Sequence, residues 1–293
     1  FLLLCATGAA TAEEAKESSD WRLTLDGGGV KQFESSLDTG GEFDVDRYFV
    51  QFSATRSFGS AWNSGLSLGF GESRYGFSGY SGLGALDPWS NIRQFRISIP
   101  VRYRSGKNWT YIGIPTLRYS GESGASASDS QKWGLLAAAA YRFSDRLTIG
   151  PGFGVFSDID DSTDLFPIVF VDWKLSDTLS LNTGRGLAAT RGPGVALNWT
   201  PTSTWRFSLE ARYEKTQFRL DETGPIPSGL GQDRSIPVAI AATYRPSADV
   251  ELTLLGGWEF AGELRLEDSD GNRLAESDYD SAPFAGAVAR FRF

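Results

Sequence analysis

Apolar and polar residues alternate one by one from Lys132 to Val155, and the alternation continues across a polar turn, Ser144, Asp145 and Arg146. One set reads Trp133, Leu135, Ala137, Ala139, Tyr141, Phe143 before the turn and Leu147, Ile149, Pro151, Phe153, Val155 after it. The positions between include Lys132, Gly134, Arg142, Thr148, Gly150 and Gly152. Successive Cβ atoms of a strand point to opposite faces of a sheet, so a period of two predicts a hairpin with one apolar face. Similar units recur around residues 105, 177, 202 and 247, each a tight polar turn between two strands with Tyr or Trp close by. A repeated hairpin with an aromatic at a fixed height is the pattern of a transmembrane β-barrel, whose outer rings sit at the lipid–water boundary.

Taken in order, WRLTLD (21–26) and DRYFVQFSATRSF (46–58) predict the first two strands, with the Gly- and Ser-rich stretch 27–43 between them as a loop. WNSGLSLGFGES follows, with Trp62, Leu66, Leu68 and Phe70 on one face. Paired strands then follow to the end, and fourteen is the expected number, with twelve the alternative because the first pair and the stretch near 190 are least periodic. Short turns fall on one side, while the connectors 120–130, 158–164, 220–233 and 261–281 fall on the other and are rich in Asp, Glu, Ser and Gly. That sorting suits an outer-membrane barrel with periplasmic turns and extracellular loops. The connection 74–91 combines glycines with Tyr75, Phe77, Tyr80 and Trp89. An exposed loop is the plain reading, and a loop folded into the lumen as a constriction is the sharper one.

Composition fits this picture. A mean hydropathy of -0.24 with 13% aromatic residues describes strands that are half wetted. A helical membrane protein would carry runs of about 20 apolar residues, and the sequence has none. A net charge of -8 argues against nucleic acid as a partner, since phosphate neutralisation needs excess Lys and Arg. There is no His and a single Cys, so neither a disulfide framework nor a Cys/His zinc site can form within the chain. Outer-membrane barrel enzymes mostly use a His, so no catalytic residue and no cofactor is expected.

The first residues read as the remnant of a secretory signal ending at Ala12, followed by a polar leader, 13–20, and a single barrel domain over 21–293. A lipoprotein reading through Cys5 is the weaker alternative, because Leu4 stands where a small residue is expected. At the other end APFAGAVARFRF alternates up to Phe291 and Phe293, the aromatic ending by which barrels are recognised for assembly.

From about Leu147 to Phe293 the sequence resembles a family of uncharacterised bacterial outer-membrane barrels, a porin-like domain of unknown function. The resemblance is carried by YRFSDRLTIG (141–150), FRLDETGPIPSGLGQDRSIPV (218–238), GELRLEDSDGN (262–272) and YDSAPFAGAVARFRF (279–293). It implies fold and location and transfers no binding or catalytic residue.

Positions out of phase with the aromatic set are expected to face inward, because a charge facing lipid costs several kcal/mol near the midplane. They include Arg96, Arg102, Arg118, Arg142, Arg206, Arg212, Arg290 and Arg292, and against them Asp172, Glu210, Glu214, Glu251 and Glu259. These are candidates to line a pore and set its preference, or to fill a narrow lumen as a satisfied network. DSDGN at 268–272 resembles the start of a calcium loop, but reads better as a hairpin turn with Gly271 at positive φ. DIDDSTD at 158–164 reads as a solvated acidic loop, and the Gly-rich stretch 184–194 lacks the Gly-Lys-Ser/Thr of a phosphate loop. The expectation is a passive porin-like channel in a Gram-negative outer membrane, with a closed structural, adhesion or binding barrel as the alternative. Its expected partners are membrane lipid, lipopolysaccharide and the barrel-assembly machinery.

Overall fold

The structure, a computed structural model, describes residues 21–159, 162–183 and 194–293. The expectations for residues 1–20, Cys5 included, and for 184–193 lie outside the described residues.

The β segments are β1 (Arg22–Ser36), β2 (Glu42–Phe58), β3 (Trp62–Ser78), β4 (Asn91–Ser98), β5 (Val101–Ser105), β6 (Trp109–Glu122), β7 (Gln131–Ser144), β8 (Leu147–Ser157) and β9 (Thr163–Lys174). They continue as β10 (Leu179–Thr183), β11 (Gly194–Trp199), β12 (Trp205–Arg212), β13 (Glu214–Arg219), β14 (Leu230–Tyr244), β15 (Val250–Glu267), β16 (Arg273–Tyr279) and β17 (Ala282–Arg292). Three barrel strands are interrupted: β4/β5 at Ile99-Pro100, β12/β13 at Tyr213 and β16/β17 at Asp280-Ser281. Counted whole, the wall is a closed antiparallel barrel of fourteen strands, the expected number. Proline explains the first break, since it cannot donate to the ladder.

Closure comes from β1 pairing β17, from Thr24 opposite Arg292 to Gln32 opposite Phe284. At the short-turn end Leu23 and Phe293 exchange backbone hydrogen bonds of 3.0 and 3.3 Å, so the aromatic C-terminal residue seals the seam. With no free edge, every backbone group of the wall can find a partner inside the wall.

The outer face carries the expected aromatic set. Around the short-turn rim Trp62, Tyr103, Tyr111, Trp109, Tyr141 and Phe143 make successive ring contacts with centroids 4.4 to 6.2 Å apart. Between the rims Leu165, Ile240 and Leu254 are 71%, 67% and 70% exposed. Leucine and isoleucine left this bare suit a wall facing hydrocarbon. Toward the long-loop rim the outer face turns ionic, with Glu72 to Arg74 at 2.6 Å and Arg265 to Glu276 at 3.0 Å.

Two connectors depart from expectation. Residues 27–36 and 42–45 are strand rather than loop, so the first hairpin is tall and its connection is only Leu37–Gly41. The glycines there serve close packing: a Cβ on Gly28 would lie 2.4 Å from the Ala287 carbonyl of β17. The same holds at the far end, where β15 and β16 occupy most of 261–281 around the turn 268–272. Gly271 there has φ 82, as expected, and Asp268 accepts hydrogen bonds from the backbone of Asp270 and Asn272.

The long-loop end is not an open mouth. Past Tyr213 the strand keeps its register on β14, and the far end of β13 reaches across to β6, touching it in parallel at Arg219 opposite Gly121. Inside, Phe43, Val45, Tyr75, Leu83, Trp89, Phe218, Leu220, Leu264 and Leu266 form one buried cluster. Leu83 comes from the short helix α1 (Gly82–Leu86) and Trp89 from the segment after it. The connection 74–91 therefore does not stand outside as a plain exposed loop. Its first residues belong to β3, and Trp89, 2% exposed, packs edge-on against Phe218 at 5.2 Å.

Candidate functional site

The luminal side chains fall into layers. Directly beneath the apolar cluster lies a charged knot in which the Arg47 guanidinium donates to Asp233 at 3.1 Å, Glu259 at 3.2 Å and Gln32 at 2.8 Å. The Tyr75 hydroxyl donates to Asp233 at 2.8 Å and that of Tyr279 to Glu259 at 3.2 Å. Tyr279 can lie there because it faces Gly262, where a Cβ would fall 2.0 Å from its ring. Close by, Arg212 pairs with Glu214 at 2.7 Å. Of the pore-lining candidates, then, Glu259, Arg212 and Glu214 sit high in the barrel.

A second apolar layer follows, with Val30, Phe49, Leu255, Phe284 and Val288 among its members. Below it the lumen is rich in arginine. Glu251, 4% exposed, is approached by Arg292 at 2.8 Å, Arg245 at 3.0 Å, Arg206 at 3.7 Å and Arg290 at 3.9 Å. Arg290 also reaches across the seam to Asp26. Four cations around one carboxylate leave a local positive excess, even with Asp26 counted. Glu210 lies between Ala196 and Ala239 on the same wall.

On the opposite side Arg96 and Arg118 face each other across β4 and β6, and Arg118 is opposite Lys132 of β7. Arg142, Thr148 and Asp172 form a cross-strand row near the short-turn rim, and Arg102 lies opposite Asn63 and Ile112. The folded chain thus gathers Arg206, Arg290, Arg292 and Glu251 into one cluster, Arg212, Glu214 and Glu259 into a higher layer, and keeps Arg102, Arg142 and Asp172 apart near the rim.

The luminal faces of β7 and β8 are built small: Ala138 and Ala140 on one strand, Gly150, Gly152 and Gly154 on the next. The large inward side chains of β9 lie beside them, with Phe170 opposite Gly150, Ile168 opposite Gly152 and Phe166 opposite Gly154, where a Cβ would fall 2.4 Å from the Phe166 ring.

Several luminal groups were not singled out from sequence. Arg47 and Asp26 share the alternation of their strands, so the same period of two would have found them. Asp233 lay in a stretch read as connector, but it belongs to β14. Asp158 is the clearest correction. Far from being solvated, it is 5% exposed and accepts from Lys215 at 2.8 Å, with Lys132 at 3.8 Å. Lys215 also pairs with Asp164 at 3.0 Å, so β13 is tied to the start of β9.

A closed fourteen-strand barrel with an apolar exterior and a charged interior belongs to the class of transmembrane barrels. No protein-family model matches the chain, and no curated protein matches it. Among solved structures, a FadL homologue from Pseudomonas aeruginosa is similar at 11% identity with a TM-score of 0.53, over 93% of this chain and 90% of that one. An outer membrane channel from Pseudomonas putida F1 covers 97% of this chain and 100% of its own, at 9% identity and a TM-score of 0.49. At such identities the first of these supports the barrel fold and nothing finer. The porin-like barrel architecture implied by the sequence resemblance is the one observed.

Proposed function

We propose that the chain is a bacterial outer-membrane channel that passes small solutes passively through a narrow, arginine-rich lumen. The observation that carries this reading is the contrast between an outer wall of exposed Leu, Ile and aromatic side chains and a lower lumen walled by Arg, Glu, Ala and Gly. Around Glu251 the side chains of Arg206, Arg245 and Arg292 keep 22%, 28% and 27% exposure, as side chains that line a water-filled space do. The short-turn rim then faces the periplasm, and the long-loop rim with its ionic outer face meets lipopolysaccharide. Phe291 and Phe293, at the end of the seam strand, act as the signal to the assembly machinery. Pore-lining roles go to Arg206, Glu210 and Glu251 on one wall and to Arg96, Arg102, Arg118, Arg142 and Asp172 on the other, with Arg212, Glu214 and Glu259 at the constriction. The local excess of arginine gives a mild preference for anions.

A second reading, a closed binding or structural barrel, is favoured by one specific observation, the buried cluster at the long-loop end. Planar-bilayer recording separates the two. The folded protein is expected to give small conductance steps, and replacing residues 80–88 by two glycines is expected to enlarge them several-fold by removing Leu83 and loosening the seat of Trp89. Silence from both proteins, each shown to be folded by its heat-modifiable gel mobility, would leave the closed barrel.

A further inference from the structure

Resting on that reading only in setting the short-turn rim in the periplasmic leaflet, we infer that Arg56, with Trp21 and Phe58, forms a site on the outer wall for the phosphate of an anionic phospholipid. Tyr48, Val50, Phe52 and Phe58 of β2 are bare on the outside, and β2 pairs β3 in one unbroken register from Glu42 to Phe58, so Arg56 shares their outward phase. The neighbouring arginines of that end, Arg22, Arg102, Arg142 and Arg292, have the inward phase. A cation on the lipid side is costly in hydrocarbon, and it is tolerated near a rim, where its head reaches the headgroups.

Arg56 also differs in its partners. Its guanidinium carbon lies 5.5 Å from the centre of the Phe58 ring, two residues on, and 5.9 Å from that of Trp21, the residue before β1. Its Nε is enclosed without a hydrogen-bond partner, and its guanidinium makes no ion pair among the described residues. Ring faces attract the cation without using its N–H donors. Ser64, directly opposite Arg56 on β3, adds a hydroxyl to the same face. One row nearer the midplane Leu23, Ala54 and Leu66 stand side by side as an apolar wall.

These features select the occupant. Phosphate oxygens match the guanidinium fork, and aromatic rings of the outer wall stand at the height of the headgroups. Acyl chains can run down past Leu23, Ala54 and Leu66, a contact that free phosphate lacks. Lipopolysaccharide belongs to the opposite rim. Among phospholipids, a zwitterionic headgroup brings its own ammonium to its phosphate, so a single guanidinium holds one with net negative charge more strongly.

The test is native mass spectrometry of the purified full chain in detergent, with phosphatidylglycerol and phosphatidylethanolamine of the same acyl chains supplied in equal amounts. The first retained lipid is expected to be phosphatidylglycerol by about fivefold, the size of one basic residue's attraction for an anionic headgroup. Arg56→Gln is expected to remove that preference, and Arg56→Lys to keep part of it, each variant being shown to be folded by its heat-modifiable gel mobility. Arg146→Gln, in an exposed turn where Arg146 pairs with Asp177, should change nothing. Equal retention of the two lipids by folded protein, an unchanged preference in Arg56→Gln, or displacement of the retained lipid by millimolar inorganic phosphate would overturn the site. Because the readout is lipid retention, a conducting protein without the preference would remove this site and leave the channel, whereas the preference in a protein silent in bilayers would do the reverse.

Discussion

The two charged layers of the lumen use the same ingredients and reach opposite results. In the upper one Arg47 is enclosed by Asp233, Glu259 and two tyrosine hydroxyls and capped by Tyr75, Trp89, Phe218 and Leu264. In the lower one Glu251 is enclosed by arginines, of which Arg245 and Arg292 stay 28% and 27% exposed. Ion pairing does not decide which layer is shut. What differs is the character of the side chains on the facing strands: aromatic rings and leucines meet across the upper layer, and arginines project into the lower one. The chain from β13 onward adds to this by bringing Phe218 and Leu220 into the cluster.

Stability should separate the layers most strongly. Arg47→Met leaves Asp233 and Glu259 buried without their cation, and the expected loss is about 3–5 kcal/mol. Glu251→Gln keeps a hydrogen-bonding group among partly wetted arginines and is expected to cost only about 1–2 kcal/mol. Urea unfolding of the two variants in lipid vesicles measures the difference, and equal losses would erase the distinction between closed and open layers.

Ion preference comes next in size. Glu in place of both Arg102 and Arg142 puts fixed negative charge at the rim of the open half, so the reversal potential under a salt gradient should change sign from anion- to cation-preferring. The matching change in the upper layer, Arg212→Glu, should move it in the same direction, because ions that cross the lower layer must also pass the constriction.

The smallest effect belongs to the outer turn. Hydrogen bonds from the Asn272 side chain and backbone hold the Asp268 carboxyl below its ordinary value. A carboxyl whose folded value is depressed contributes stability above its unfolded value, about 3.9, and loses that contribution as pH falls through the folded one. Limited pepsin digestion should therefore nick 268–272 more readily as pH is lowered through the acid range below the unfolded value, and in Asp268→Ala at every pH tested.

How far the molecule was legible follows from the range of each interaction. The outward set Trp133, Leu135, Tyr141, Phe153 could be read because alternation is a property of neighbouring residues, and the inward phase of Arg118, Arg290 and Glu251 came with it. The stretch 27–36 was misread because glycine signals a turn locally, whereas here it serves the close approach of β17, more than 250 residues away in sequence. The solvated reading of Asp158 failed for the same reason: its cation, Lys215, comes from β13, 57 residues away in sequence.

By itself, then, the sequence determined most of the strands, their two faces, their number and the alternation that runs out to Phe293, all consequences of a two-residue period and of the need to close a sheet edge. Tertiary structure decided which charges meet, that Leu83 and Trp89 of the connection are buried, and that one end of the lumen is packed with rings and leucines while the other is lined with arginines. Those outcomes depend on register between strands and on side-chain volumes summed across a barrel, and no local stretch of sequence contains either quantity.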